Sequence, residues 1–322
     1  MKMMSVPPHE GPLRRIRDLR TFWVLACLLA LPGCRVRSSD KLEDDTLIRA
    51  RSLAEALSMA QRGDTIVLPA GTYEGGQALA PGVSLRGAGL GRTILDARKA
   101  EVGLAILGGR GVEVSDLTVR GAVRTGLLVS NVVNVAVRRV RVTASTNGVV
   151  FSNVAEGRIE NAVSDGNRDG IILNGGRDNV VINCTLARDV HCGLSIASGE
   201  RAVAFNNCLA DVGIGVSLGA AAKGARLDYN LYAAPLVGEI EGTSGRKSLS
   251  EWHELSGQDA HSVISGVTFR DPLAGDYRPA GRGTTADRGI SELDGIKAPE
   301  HDADDAPRVI PFDIGAYEAS AP

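Results

Sequence analysis

The sequence predicts an all-β solenoid, a parallel β-helix, from two columns of repeated residues and a third column of glycine. Leu117, Val140, Asn161, Cys184, Asn207 and Asn230 recur at steps of 23, 21, 23, 23 and 23 residues. Val119, Val142, Val163, Leu186, Leu209 and Tyr232 follow two positions later at the same steps. Gly126, Gly148, Gly170, Gly193 and Gly215 each open a short apolar alternation, such as Gly148-Val-Val-Phe and Gly170-Ile-Ile-Leu. This period is too short for a strand-helix-strand crossover of about 30 residues. It suits one coil of a solenoid, in which each strand pairs with its equivalent one coil on. Composition agrees: 39 glycines and only 4% aromatic residues fit short strands and tight turns around a thin aliphatic core. Asn161, Asn207 and Asn230 are expected to form a partial ladder of buried amides, interrupted at Cys184. The glycines are expected to serve a bend that needs positive φ.

In chain order, the first segment stands apart. Arg14, Arg15, Arg17 and Arg20 precede an apolar run from Phe22 to Leu31. That run is about ten residues, half of what a membrane-spanning helix requires. It ends in Leu31-Pro32-Gly33-Cys34, which resembles a bacterial lipobox. The resemblance implies a signal peptide over 1–33, with Cys34 lipidated as the new N-terminus. A plain signal peptide with an incidental cysteine is the alternative. Residues 34–48 are polar and charged and read as a flexible tether. Arg35, where an Asp is missing, resembles outer-membrane sorting if the host is Gram-negative. The expected location is therefore the cell envelope, with membrane contact through the lipid alone. A net charge of −2 implies no nucleic-acid partner.

The domain proper is expected over 49–235. Ser52-Leu-Ala-Glu55 is a capping box, and Leu53, Ala56, Leu57 and Ala60 form an apolar stripe at helical spacing. A short helix there would cover the open end of the solenoid and its unpaired edge. It leads into Gly63-Asp-Thr-Ile-Val-Leu-Pro-Ala-Gly-Thr-Tyr73, then Val83-Ser-Leu-Arg-Gly-Ala-Gly89 and Thr93-Ile-Leu-Asp96. This series resembles the opening of the pectin-lyase-like right-handed β-helix proteins, and the likeness extends over about residues 50 to 235. The resemblance implies a right-handed coil; members of that superfamily range from lyases, hydrolases and isomerases to tailspikes and inert scaffolds. From 236 to 322 the repeat stops. Asp228-Tyr-Asn-Leu-Tyr232, Trp252, Gly257-Gln-Asp-Ala-His-Ser262 and Asp313-Ile-Gly-Ala-Tyr-Glu318 resemble the C-terminal region of many bacterial β-helix lipoproteins. A cap over the last coil is expected, with a long exposed loop over about 282 to 308.

Two groups of residues are candidates for chemistry. Asp165, Asp189 and Asp211 precede the glycine column, accompanied by Arg168, Asp169, Arg188 and His191. Carboxylates on adjacent coils would stand about 5 Å apart, near the spacing of a retaining glycosidase pair. They would raise one another's pKa or share a calcium ion. Asp is also an ordinary turn residue. Arg120, Arg124, Arg138, Arg139, Arg141, Arg168 and Arg188 are candidates to bind an acidic sugar, although Arg alternating with Val also describes a solvated strand face. No Lys lies between Lys99 and Lys223, and the paired Asp-Asp and Gly-His-Gly marks of polygalacturonases are absent from the coils.

The second group is Tyr229, Trp252, Asp259 and His261, aromatic faces beside carboxylates that suit sugar binding. Aromatics also plug the ends of solenoids. Cys184, Cys192 and Cys208 are expected as buried thiols, since no CxxC or zinc-site spacing occurs. The function expected is an exported, lipid-anchored protein that binds or processes a polysaccharide, lyase- or hydrolase-like if catalytic. The competing expectation is a non-catalytic surface scaffold or adhesion protein. The sequence does not indicate an oligomeric state.

Overall fold

Successive coils pair strand on strand in parallel, and that pairing explains the repeat. In the computed structural model, residues 47–49 and 52–319 are described. The expected signal peptide, Cys34 and nearly all of the tether lie outside the described residues. The described chain is a right-handed parallel β-helix of about eight coils.

Three inward columns make the core. Leu127, Val149, Ile171, Leu194 and Val216 stack on one face. Val114, Val137, Ile159, Val181, Ala204 and Leu227 stack on the second. Val119, Val142, Ser164, Leu186, Leu209 and Tyr232 stack on the third. All are buried. Each fully buried Val or Leu contributes about 1.5–3 kcal/mol.

The third column corrects one expectation. Val142 pairs with Ser164, not Val163, so Val163 faces outward and Asn161 lies one residue off the inner column. Asn161 instead joins Asp116, Arg139, Asn183, Asn206 and Tyr229, which share left-handed φ values between 48° and 61°. Asn and Asp tolerate this conformation better than other side chains. Two neighbouring columns therefore run along this corner, one turned out and one turned in.

The glycine column is also explained differently. Gly126, Gly148, Gly170, Gly193 and Gly215 are not among the positive-φ residues. A Cβ at Gly148 or Gly170 would lie 2.4 Å from the carbonyl oxygen of the next glycine in the column. The coils approach so closely at this corner that no side chain fits.

The ends are closed by two short helices. Helix Leu53–Met59 begins at Ser52, whose Oγ accepts from the Glu55 amide at 3.1 Å, and it buries Leu53 and Ala56 over the first coil. At the other end the solenoid does not stop at 235. Strand Leu236–Ile240 pairs in parallel with Ile214–Lys223, and Val263–Ile264 pairs with Leu231–Tyr232. Between them helix Leu249–Ser256 inserts Trp252, which is fully buried.

Residues 266–319 are a strap along two outer faces, not a cap on the last coil. Val180, Ile182, Val203 and Phe205 point outward, yet they are buried beneath Ile290, Leu293, Ile296 and Phe312. Val163 and Ala187 are covered by Tyr277, Ala316 and Tyr317. The outer Asn column pins the strap. Asn161 donates to the His301 carbonyl at 2.7 Å, Asn183 to that of Asp313 at 3.0 Å, and Asn206 to that of Ile290 at 2.8 Å. The exposed loop expected over 282–308 is thus packed, and it contains a hairpin of Glu292–Leu293 with Ile296–Lys297. Its few apolar residues are scattered among Gly, Asp and Pro, so no periodicity announces them.

Candidate functional site

Asp165, Asp189 and Asp211 do not form one file: the equivalents of Asp165 on the next two coils are Ala187 and Ala210, so Asp189 lies two residues and Asp211 one residue past that column. They occupy three different columns. Asp165 faces outward beneath the strap, where Arg141, Arg188 and the Tyr277 hydroxyl all donate to it. Burial pushes its pKa up, but the hydrogen bonds from Tyr277, Arg188 and Arg141 outweigh burial and hold the carboxyl below the ordinary range. Asp189 faces inward at the glycine corner and is fully buried. Its Oδ1 accepts from the Asn167 amide at 2.9 Å and from Asn167 Nδ2 at 3.2 Å, while among the described residues no group meets Oδ2 with hydrogen-bond geometry. Burial pushes its pKa up to about 7. Asp211 is exposed, in a left-handed turn position equivalent to Arg188 one coil earlier.

His191 is placed where it can meet a ligand. It precedes strand Cys192–Glu200, its Nδ1 lies 2.5 Å from Asp169 Oδ1, and its ring is half exposed. Arg168 donates to the other oxygen of Asp169 at 2.9 Å. A carboxylate on Nδ1 fixes the ring and leaves Nε2 free to exchange a proton.

The aromatic group is split by the wall of the solenoid. Trp252 Nε1 and the Tyr232 hydroxyl donate to Asp259 Oδ2 at 2.8 and 3.0 Å, and Asn230 Nδ2 donates to Oδ1 at 3.0 Å. These groups are buried and plug the end of the coil. Burial raises the Asp259 pKa, against its hydrogen bonds. Tyr229 and His261 lie outside, their rings stacked at 4.9 Å and 14°, with His261 Nδ1 2.7 Å from Asp228.

A groove of about 390 Å³ lies on the outer face of the last coils, lined by Ser195, Ala197, Ser217, Gly219, Glu239 and Glu241, among others. Ser195, Ser217 and Glu239 are in register across three coils. The sheet slips register between Ile196 and Ser198 beside it, and a Cβ at Gly219 would lie 2.1 Å from the Ala197 carbonyl oxygen. Small residues and a buckled strand thus open the concavity. The sequence carries a signal for it in the outward row rather than in any motif. Leu128, Val150 and Ile172 hold this outward row on earlier coils, and Ser195, Ser217 and Glu239 replace them.

The arginines expected to bind acidic sugars all have carboxylate partners. Arg120 pairs with Asp96, Arg124 with Glu101, Arg138 with Glu113 and Glu160, and Arg139 with Asp116. Arg141 and Arg188 pair with Asp165, and Arg168 with Asp169.

Comparison with known proteins follows the fold. The family described as "Periplasmic copper-binding protein (NosD)" matches residues 64–252, more than half of the chain. The chain belongs to the NosD family. That match runs from the first coil to Trp252 and omits the strap. No curated protein sequence matches the chain. Among solved structures it is similar to an alginate lyase from Paenibacillus sp. str. FPU-7, at 17% identity, 68% of this chain, 94% of that chain and a TM-score of 0.47. It is similar to pectate lyase Pel9A at 15% identity, over 84% of this chain and 91% of that one, with a TM-score of 0.48. For a pectin methylesterase in complex with a hexasaccharide the values are 11%, 72%, 94% and 0.36. At these levels no site residue carries over.

The NosD description names copper, which takes thiolate, thioether or imidazole ligands. Among the described residues no three His, Cys, Asp or Glu side chains converge on a metal position. Cys184 faces the core and Cys208 faces the strap, and burial pushes their thiols and that of Cys192 up to about 12. Buried neutral thiols on opposite sides of a wall do not make a copper centre. The described residues do not fit one.

Proposed function

We propose that this chain is an exported, lipid-anchored β-helix protein that binds or processes a polysaccharide. The observation that carries the reading is the row Ser195, Ser217 and Glu239, in register across three coils and open in the groove. Strand spacing of about 4.8 Å repeats these groups along the solenoid axis, as a chain of sugar units repeats its hydroxyls. Hydroxyls that both donate and accept, beside carboxylate acceptors, are suited to polyhydroxylated ligands. Export is supported by the apolar run ending in Cys34 and by the periplasmic description of the NosD family. Cys34 is the residue proposed to carry the lipid.

If the protein is catalytic, His191 oriented by Asp169 is the group best placed to move a proton. Asp165, Arg188 and Asp189 then act by holding the corner and the strap in place, since neither carboxylate reaches solvent. Tyr229 with His261 offers a second exposed stacking face.

The test is a glycan array with the full chain, joined to reducing-sugar and unsaturated-uronate assays with and without calcium. Glycan binding lost on filling the groove supports the reading. Silence on every glycan removes it and favours the second reading, a protein-binding scaffold, for which the partly buried outward row Leu128, Val150 and Ile172 is the feature available.

A further inference from the structure

The groove also has a charge, and the charge selects among polysaccharides. We infer that it takes a polysaccharide without acid groups, neutral or amino-bearing, and rejects polyuronates; this rests on the polysaccharide reading and narrows it.

Two observations carry it. The first is the lining. Glu239 and Glu241 are the charged side chains among the groove residues, and no Lys, Arg or His lines it. Glu239 has a loose partner in Arg246 at 3.6 Å, with both side chains nearly half exposed. Glu241 accepts from the Ala220 amide at 2.8 Å and has no ion-pair partner among the described residues. Ser195 and Ser217 offer hydroxyls to either kind of sugar, so the carboxylates decide. A uronate bound there would meet like charge at Glu241, and at Glu239 would have to compete for the Arg246 guanidinium. An amino sugar would find an acceptor and a counter-charge.

The second observation is where the cations are. Recognition of a polyanion requires free guanidinium or ammonium groups. Along the coils Arg120, Arg138, Arg139, Arg141, Arg168 and Arg188 are each engaged by Asp or Glu of the same or a neighbouring coil or of the strap. These pairs neutralise the solenoid's own acids, and beside the groove Arg246 is held by Glu239 while Lys247 donates to the Ser244 carbonyl.

The experiment measures binding of the full chain to four probes: a soluble neutral glucan, a chitosan oligosaccharide, polygalacturonate and alginate, at low and high salt. The expected result is binding of the neutral or amino probe at least tenfold tighter than either polyuronate, the gap shrinking as salt screens the groove. In Glu239→Gln/Glu241→Gln the polyuronates gain and chitosan loses, each by several fold. Ser195→Trp, which fills the groove from the surface, abolishes binding while the thermal melt is unchanged. Polyuronates bound as tightly as the neutral probe would overturn this inference and leave the polysaccharide reading standing. Binding indifferent to Ser195→Trp would overturn the groove as its place. No binding to any probe would overturn both.

Discussion

Asn230 stands over Asn207 at one inner corner of the solenoid, and its Oδ1 accepts from the Asn207 main-chain amide at 3.0 Å and from Asn207 Nδ2 at 3.1 Å. Asn207 repeats the relation towards Cys184, accepting from its amide at 3.0 Å and donating to the Val181 carbonyl at 3.0 Å. The other two corners use the same device. Asn179 accepts from the Gly157 amide and donates to the Val154 carbonyl, and Asn167 accepts from Ser145 and donates to Val142. A bend in a strand leaves an amide and a carbonyl unpaired, and one side-chain amide satisfies both.

Removing such an amide should therefore cost more than an ordinary buried hydrogen bond. Asn207→Ala strands the Cys184 amide and the Val181 carbonyl, and a loss of about 2–4 kcal/mol is expected. Equilibrium denaturation measures it, and a loss under half a kcal/mol would contradict the ladder's role.

Asp189 occupies this amide position at the glycine corner, and a carboxylate there lacks the N–H that the amide supplies. Its folded pKa, about 7, lies above the ordinary aspartate value of about 3.9. The folded state thus holds the proton more tightly, so stability is fully present below about pH 4 and is lost as pH rises to about 7. Asp189→Asn is expected to match the wild type near pH 4 and to exceed it above pH 7, by at most about 4 kcal/mol. Denaturation midpoints across that range check the sign. A variant less stable at pH 8 would refute it.

Asp165 ties the strap to the solenoid. Tyr277→Phe removes a hydroxyl that donates to Asp165 and accepts from Arg188, and should cost about 1–2 kcal/mol. Asp165→Ala leaves Arg141 and Arg188 without their carboxylate and should cost about 3–5 kcal/mol. Limited proteolysis should then cut within 266–319 first, ahead of the coils.

Gly170 has no room for a methyl group. A Cβ would lie 2.4 Å from the Gly193 carbonyl oxygen and 2.5 Å from Asp189 Oδ2. Gly170→Ala should lower stability by about 1–3 kcal/mol through overpacking, although φ there is ordinary. Gly166, whose φ is 64°, should tolerate Asn in its place.

If turnover is found, His191→Ala should reduce it by about 10²-fold or more while glycan binding stays. Steady-state kinetics beside direct binding separates the two; equal loss of both would make His191 a binding residue.

The sequence alone determined the coil. A parallel solenoid brings like positions together, so the period, the glycine column and the Ser52 helix cap are written in local residue choice. Which side of the wall a residue faces was not. Asn161 and Asn207 are the same residue type in adjacent columns, and a one-residue difference in coil length turns one out to the strap and the other into the core. The same ambiguity merged Asp165, Asp189 and Asp211 into one site and joined Trp252 and Asp259 with Tyr229 and His261. Only tertiary structure decided these, because inside and outside at a corner depend on where the backbone bends. The strap was hidden for a related reason: Tyr277, Phe312 and Tyr317 find their solenoid partners about ninety residues or more away, and no local period records a contact of that range.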